Sequence, residues 1–286
     1  MSSRFLFIAI LIFLTRTLSA NYDISAHDMM QVNYDCNHFK KLKNHSIKEM
    51  NNKKPVLIHK SKNKVKRLYF EQYQNNNGSK KQYIFVYKSG QYKGLKALVE
   101  IENNDTEVSI WIPALRKAQK LATFNKATSW YGSNFTYDEI MIANPDDAKH
   151  EILGDGTILT NVIDLNISSI KHSMPSEAKE IFKIKSTPIK RKYSYDYKVT
   201  YVDKKCFKDY KTIYFKDNVA VKIFEKGWYS TRDRKFCLHY WYAKNLIDGS
   251  ESFIHIPKLS HDYDDNSSKE IFSKCKLNKD EKILTQ

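Results

Sequence analysis

The sequence predicts a mainly β protein with antiparallel strands, and three observations carry that prediction. Apolar residues alternate at strict period two in several stretches, turn signals separate those stretches at short intervals, and aromatic residues make up 13% of the chain. Such alternation suits half-buried strands, and neighbours joined by short turns pair antiparallel by default. With 286 residues and 41% hydrophobic content the chain can bury a real core. Its 19 tyrosines against 15 phenylalanines favour strand surfaces where the ring is dry and the hydroxyl wet.

The first twenty residues read as a secretory signal peptide. Arg4 gives a positive start, Phe5 to Leu14 is an unbroken apolar run, and Leu18, Ser19 and Ala20 offer a cleavage site after Ser19 or Ala20. That run is half of the ~20 residues a membrane span needs. A mature protein of residues 21–286 forming one β domain is expected outside the inner membrane, in the periplasm. Without Arg4 and Arg16, 46 basic residues face 32 acidic ones. In an exported protein that excess points to anionic headgroups or an acidic surface, not to nucleic acid.

Four cysteines, Cys36, Cys206, Cys237 and Cys275, form an even set in an oxidising compartment and suggest two disulfides. The expected pairs are Cys206 with Cys237 and Cys36 with Cys275. None forms a C-x-x-C unit, which argues against redox catalysis or a zinc ribbon.

In chain order, Ile24, Met29, Met30 and Val32 suit two turns of amphipathic helix as well as coil. Val56-Leu57-Ile58 opens the strand-rich part. Leu68-Tyr69-Phe70 and Gln82 to Tyr87 flank Asn75-Asn76-Asn77-Gly78, a hairpin signal. Leu95, Ala97, Val99 and Ile101 share one strand face, and Val108, Ile110 and Ile112 repeat the pattern after a turn at Asn103-Asn104-Asp105. Pro113 ends that strand; Ala114 to Leu121 fits either a helix or a strand. Gly154-Asp155-Gly156 reads as a hairpin turn, and Glu177 to Phe182, behind Pro175, as a helix. Tyr193, Tyr195, Tyr197, Val199 and Tyr201 alternate as a strand, with Ser194, Asp196, Lys198 and Thr200 on its other face. Ile213 to Ile223 reads as a hairpin turning at Asp217-Asn218. Phe236, Leu238, Tyr240 and Tyr242 form a further strand, and His255 sits in another.

No catalytic constellation emerges, so no enzyme is predicted and no cofactor is expected. Nine histidines lack metal-ligand spacing, and Ser133 has no histidine near it in sequence. Asp262, Asp264 and Asp265 lack the glycine and glutamate of a calcium loop. Asp138-Glu139 reads as the first turn of a helix capped by Thr136.

The stretch from Trp111 to Glu139 carries a resemblance. Trp111 to Leu121 (WIPALRKAQKL), followed by Tyr131 to Ile140 (YGSNFTYDEI), is similar to the signature of the bacterial outer-membrane lipoprotein-sorting family with the LolA/LolB-like fold. That signature is an aromatic-Leu-Pro-Ala-Leu segment with basic residues, then Gly-Ser-Asp-Phe-x-Tyr and acidic residues. Tyr92 to Leu98 (YKGLKAL) resembles the family's Lys-Gly strand. Two departures stand out: Asn134 replaces the family's aspartate, and residues 146–190 have no counterpart. The resemblance implies an incomplete antiparallel β-barrel with a few short helices, and a strand after the Pro113 bend. It also implies an apolar cavity for lipid or lipoprotein acyl chains. On that reading Trp111, Leu115, Trp130, Phe135 and Tyr137 are candidates for the ligand-binding wall or rim. Arg116, Lys117 and Lys120 are candidates to meet a headgroup, an envelope transporter or the membrane surface. The alternative is a non-enzymatic module with a solid barrel that docks an envelope complex through its basic face.

Overall fold

A computed structural model describes residues 24–37, 44–47, 54–77, 80–102, 105–121, 125–141, 144–160, 176–189, 193–230, 236–256 and 259–260. The N-terminal helix α1 (Ala26–Asn37) is followed by β1 (Asn44–Ile47), β2 (Val56–Ser61), β3 (Lys64–Asn77), β4 (Lys80–Tyr87), β5 (Lys96–Glu102), β6 (Asp105–Ile112) and β7 (Lys117–Lys120). After a short helix α2 (Tyr137–Met141) come β8 (Ala148–Thr160), β9 (Glu177–Pro188), β10 (Tyr197–Asp203), β11 (Asp209–Lys216), β12 (Val219–Ser230), β13 (Phe236–Asn245), β14 (Glu251–His255) and β15 (Leu259–Ser260).

Strands pair in the order β7-β6-β5-β4-β3-β2-β14-β13-β12-β11-β10-β9-β8, all antiparallel. Two meanders, β2 to β7 and β8 to β14, meet where β14 pairs with β2. Among the described residues β7 and β8 end this path, with β1 and β15 branching from β3, so the sheet is an open, incomplete barrel. Register shifts at Tyr201/Val202, Tyr214/Phe215, Gly227/Trp228 and Ile152/Gly154 put bulges into four of its pairings. Bulges bend and twist the strands that carry them.

This topology decides where the site forms. β7 and β8 lie at opposite edges yet follow each other in sequence, so the chain between them must cross one face of the sheet. That inner face carries Leu57, Phe70, Phe85, Tyr87, Ala97, Val99, Val108, Phe224, Trp241 and Ile254, all buried. The opposite face of the same strands buries Tyr73, Ile84, Val86, Leu98 and Trp111 in one cluster and Val56, Ile58, Tyr240, Tyr242 and Phe253 in another. α1 packs Met29 and Met30 on Phe182, Ile184 and Val202. Ser25 caps it, its hydroxyl accepting from the Asp28 N–H and donating to the Asp28 carboxylate.

Most sequence expectations hold. The strands around Ala97, Val108, Ile213, Leu238 and His255 are present, and Asp217 and Asn218 adopt the paired positive φ (50° and 62°) of a tight hairpin turn. After Pro113 a single 3-10 turn, Pro113–Leu115, leads into β7, so the strand alternative is the one adopted.

Three expectations are corrected. Glu177 to Phe182 is strand, not helix, because Ile181, Phe182 and Ile184 are buried between β8 and β10 and tertiary pairing overrides local propensity. Gly154-Asp155-Gly156 is not a turn; it lies within β8 at a bulge, where Gly154 takes φ 139°. The strand at Val199 begins at Tyr197, and Tyr193 to Asp196 precede it. Tyr193 stacks on Tyr195 and Tyr195 meets Tyr214 edge-on, whereas Tyr197 stacks on Phe215, so the tyrosines do not form one ladder. The signal peptide and Asp262, Asp264 and Asp265 lie outside the described residues.

Candidate functional site

The crossing segment, described over residues 125–141 and 144–147, lies on the inner face and divides it into an apolar and a polar half. In the apolar half Trp130 and Phe135 are fully buried. Trp130 meets Phe70 edge-on with centroids 5.4 Å apart and lies 6.1 Å from Phe85; Phe135 lies 5.7 Å from Phe224 and 6.4 Å from Trp241. Tyr131 extends the packing to Tyr87, Tyr92 and Tyr137 at 4.2, 4.7 and 6.4 Å. A tight turn holds the two anchors together: the Trp130 N–H donates to the Phe135 carbonyl at 2.7 Å, Tyr131 takes φ 52° and Gly132 φ 70°. Left-handed backbone is what the single glycine of this stretch supplies.

One side chain pins that turn to the sheet. The Asn134 side chain donates through Nδ2 to the Ser250 carbonyl at 2.8 Å and accepts from the Ser250 hydroxyl at 3.0 Å, while the Asn134 backbone N–H donates to the Ser252 hydroxyl at 2.9 Å. Past it, α2 starts in a capping box. The Thr136 hydroxyl accepts from the Glu139 N–H at 3.3 Å, and the Glu139 carboxylate from the Thr136 N–H at 2.8 Å. Thr136 as cap is thus observed.

The polar half is built from β8 to β12. Lys222 Nζ donates to both Glu139 oxygens, at 2.7 and 2.6 Å. Burial pushes the Glu139 carboxyl up, but the Lys222 charge and its hydrogen bonds win, leaving it below the usual glutamate value. Asp209 is held the same way: burial raises it, and Lys226 at 2.7 Å brings it below its ordinary value. Asn33 and Asn37 of α1 also donate to Asp209, at 3.2 and 2.9 Å, and Lys226 donates to Asn37, so the helix is tied to the sheet through a buried ion pair. His150 has both ring nitrogens engaged, with Ser186 Oγ at 2.8 Å and the Pro145 carbonyl at 2.9 Å, and burial lowers its pKa. Between these groups lies a cavity of about 80 Å³, whose lining includes Met30, Thr136, Asp138, Tyr195, Lys198 and Thr212.

The structure brings Trp130, Phe135 and Tyr137 together on the inner face. Trp111, although buried, belongs to the cluster on the opposite face. Leu115 is 57% exposed on the bend between β6 and β7, beside exposed Arg116 and Lys117. Lys120, also exposed, pairs with Glu107 at 2.7 Å. Cys206 is half-buried in the turn between β10 and β11, and burial pushes its thiol up. The side chains of Cys36, Cys237 and Cys275 lie outside the described residues, and the expected pairings with them. Sequence reasoning did not find the polar half. Lys198 and Thr200 share a face of β10 that reads as hydrophilic in sequence, and α1 and the crossing segment together cover it.

An open antiparallel sheet with its inner face crossed by an edge-to-edge segment defines the class: this is the LolA/LolB-like fold. A DUF1329 family protein from Desulfovibrio piger matches with TM-score 0.66 at 16% identity, covering 88% of this chain and 98% of its own. A Vibrio parahaemolyticus domain described as an outer membrane lipoprotein-sorting protein domain matches with TM-score 0.66 at 13% identity, covering 88% of this chain and 100% of its own. A LolA superfamily protein from Nitrosomonas europaea matches with TM-score 0.59 at 11% identity, covering 88% and 99%. At these identities the likeness speaks for the fold. No curated protein matches in sequence. Residues 78–279 match the model of a family described as "Uncharacterized protein", and the chain belongs to that family.

Proposed function

We propose that this protein is an exported periplasmic carrier or sensor, without catalytic activity, for lipid or lipoprotein acyl chains, and that the chain binds on the apolar half of the inner face. The observation that carries the proposal is how that half is filled. Trp130 and Phe135 occupy it as a stopper contributed by a connecting segment, not by a strand. Their contacts there are apolar. The Trp130 indole N–H lies beside the Tyr87 hydroxyl without hydrogen-bonding geometry, and the Trp241 indole N–H has no partner among the described residues. A buried donor without a partner costs about 1–3 kcal/mol, so the stoppered state is held by burial of apolar area. An acyl chain offers the same currency at about 0.8 kcal/mol per CH₂.

The fold shared with a lipoprotein-sorting domain supports the reading. So do the apparent signal peptide and the exposed Arg116 and Lys117, placed to meet an anionic headgroup, a membrane surface or an envelope transporter, with Lys120 beside them. Among the described residues no helix is long and apolar enough to cross a membrane.

One observation favours a second reading. The inner face is packed with the protein's own aromatics, as a solid interaction module docking through its basic residues would be. Native mass spectrometry of gently purified protein, with fluorescent fatty-acid uptake, separates the two. A carrier shows added lipid mass or saturable uptake that quenches tryptophan fluorescence. Protein that is always empty and takes up nothing is the solid module.

A further inference from the structure

We infer that the cavity in the polar half of the inner face is a binding site for a small monocarboxylate, with Lys198 as its cationic contact. The inference is independent of the acyl-chain proposal, which concerns the apolar half.

Lys198 differs from the other charged groups around it. Glu139 has Lys222, Asp209 has Lys226, and Asp138 accepts from the Tyr193 hydroxyl at 2.5 Å. Lys198 has neither a hydrogen bond nor an ion pair among the described residues, yet it lines the cavity. Its position is set by the sheet: on β10 it faces Ser186 of β9 and Tyr214 of β11, and α1 and the crossing segment close over it. Burial lowers its pKa, while Asp138 and Glu139 favour its charged form from a distance. The Lys198 side chain is partly buried, and an ammonium that gives up part of its water without gaining a direct counter-charge is destabilised, a cost that an anionic ligand would offset.

Donors stand beside it. Thr200 accepts from the Thr212 hydroxyl at 3.3 Å, which leaves its own proton for another acceptor. The Tyr195 hydroxyl has no hydrogen-bond partner among the described residues and borders the same space. A carboxylate, with two oxygens and about four acceptor positions, matches one ammonium and two hydroxyls. The charge of the site selects a monoanion. Asp138, Glu139 and Asp209 line the same cavity, and a phosphate dianion would face them at close range. The size selects a short chain: about 80 Å³ holds several waters or a carboxylate with a few carbons, and Met30 and Phe224 offer apolar contact for those carbons.

The test uses the full mature chain and butyrate as probe, with sodium chloride and phosphate at matched ionic strength. Thermal unfolding and saturation-transfer NMR are recorded for wild type, K198M and T200V. Butyrate is expected to raise the wild-type midpoint saturably and chloride is not; K198M is expected to bind at least tenfold more weakly, and T200V severalfold. The inference is overturned if butyrate acts no differently from chloride on wild type, or acts equally on wild type and K198M. A larger response to phosphate than to butyrate overturns the monocarboxylate assignment. If K198M does not fold, the wild-type saturation curve and Y195F decide by the same criteria.

Discussion

Asn134 and Ser250 exchange two hydrogen bonds: the Asn134 amide donates to the Ser250 carbonyl at 2.8 Å, and the Ser250 hydroxyl donates back to Asn134 Oδ1 at 3.0 Å. At neutral pH an amide serves in both directions, whereas a carboxylate only accepts. The lipoprotein-sorting signature has aspartate here, and an ionised carboxylate would present a second acceptor to the Ser250 carbonyl. N134D is therefore expected to lose about 1–3 kcal/mol. The introduced carboxyl would have a folded pKa above its unfolded value of about 3.9. Below that value both states are protonated and the acid can still donate, so the deficit is small; it grows as pH rises through it. Urea unfolding of N134D and wild type at about pH 3.5 and pH 7 checks this, and a deficit independent of pH counts against it.

Glu139 and Lys222 form a buried pair, with side-chain exposures of 8% and 15%. Removing one partner leaves the other's charge uncompensated, so K222M is expected to cost about 3–5 kcal/mol. E139L combined with K222M should recover part of that loss. The carboxyl's folded pKa lies below its ordinary value. The pair's stabilisation is then present above the unfolded pKa of about 4.3 and is lost as pH falls through the folded one. A double-mutant cycle by denaturant titration measures the coupling, and additive single-mutant losses would contradict it.

Gly227 and Tyr240 are opposite partners on β12 and β13, and the ring lies over the glycine. A Cβ added at Gly227 would sit 1.9 Å from the Tyr240 ring. Tyr240 is itself buried against Phe253, so it cannot simply swing away. G227A should lose about 1–3 kcal/mol through overpacking. Y240A alone should also destabilise, but in its background G227A should cost much less; an unchanged cost would show that backbone conformation, not the ring, requires the glycine.

How much of this was legible in sequence follows from what each residue's pattern reports. Ala97, Val99, Val108 and Ile110 announced β5 and β6 because a two-sided strand writes its period into the chain. Trp130, Gly132 and Phe135 stood out because aromatics around a lone glycine mark a constrained turn. Glu177 to Phe182 misled because its residues favour helix, and the pairing with β8 and β10 that overrides them is not written locally. Lys198 and Thr200 were visible as one face of an alternating strand. That this face lies inside depends on α1 and the crossing segment, which reach it from far away in sequence.

Trp130 also supplies the sharpest test of the stopper. Truncating it removes the contacts with Phe70, Phe85 and Tyr131, so W130A should cost about 3–5 kcal/mol. The space left behind is bordered by those rings, and an apolar void stays dry and accepts apolar molecules. If acyl chains compete with the indole for this space, W130A should bind a fluorescent fatty acid more tightly than wild type. The ligand should then return part of the lost stability, about 2.7 kcal/mol at a free concentration one hundred times Kd. Trp111 provides the control, being equally buried but on the opposite face with Leu98 and Ile84. W111A should destabilise to a similar extent and leave binding unchanged. Equal affinities for wild type, W111A and W130A would mean that the indole blocks nothing, and the acyl-chain proposal would lose the observation on which it rests.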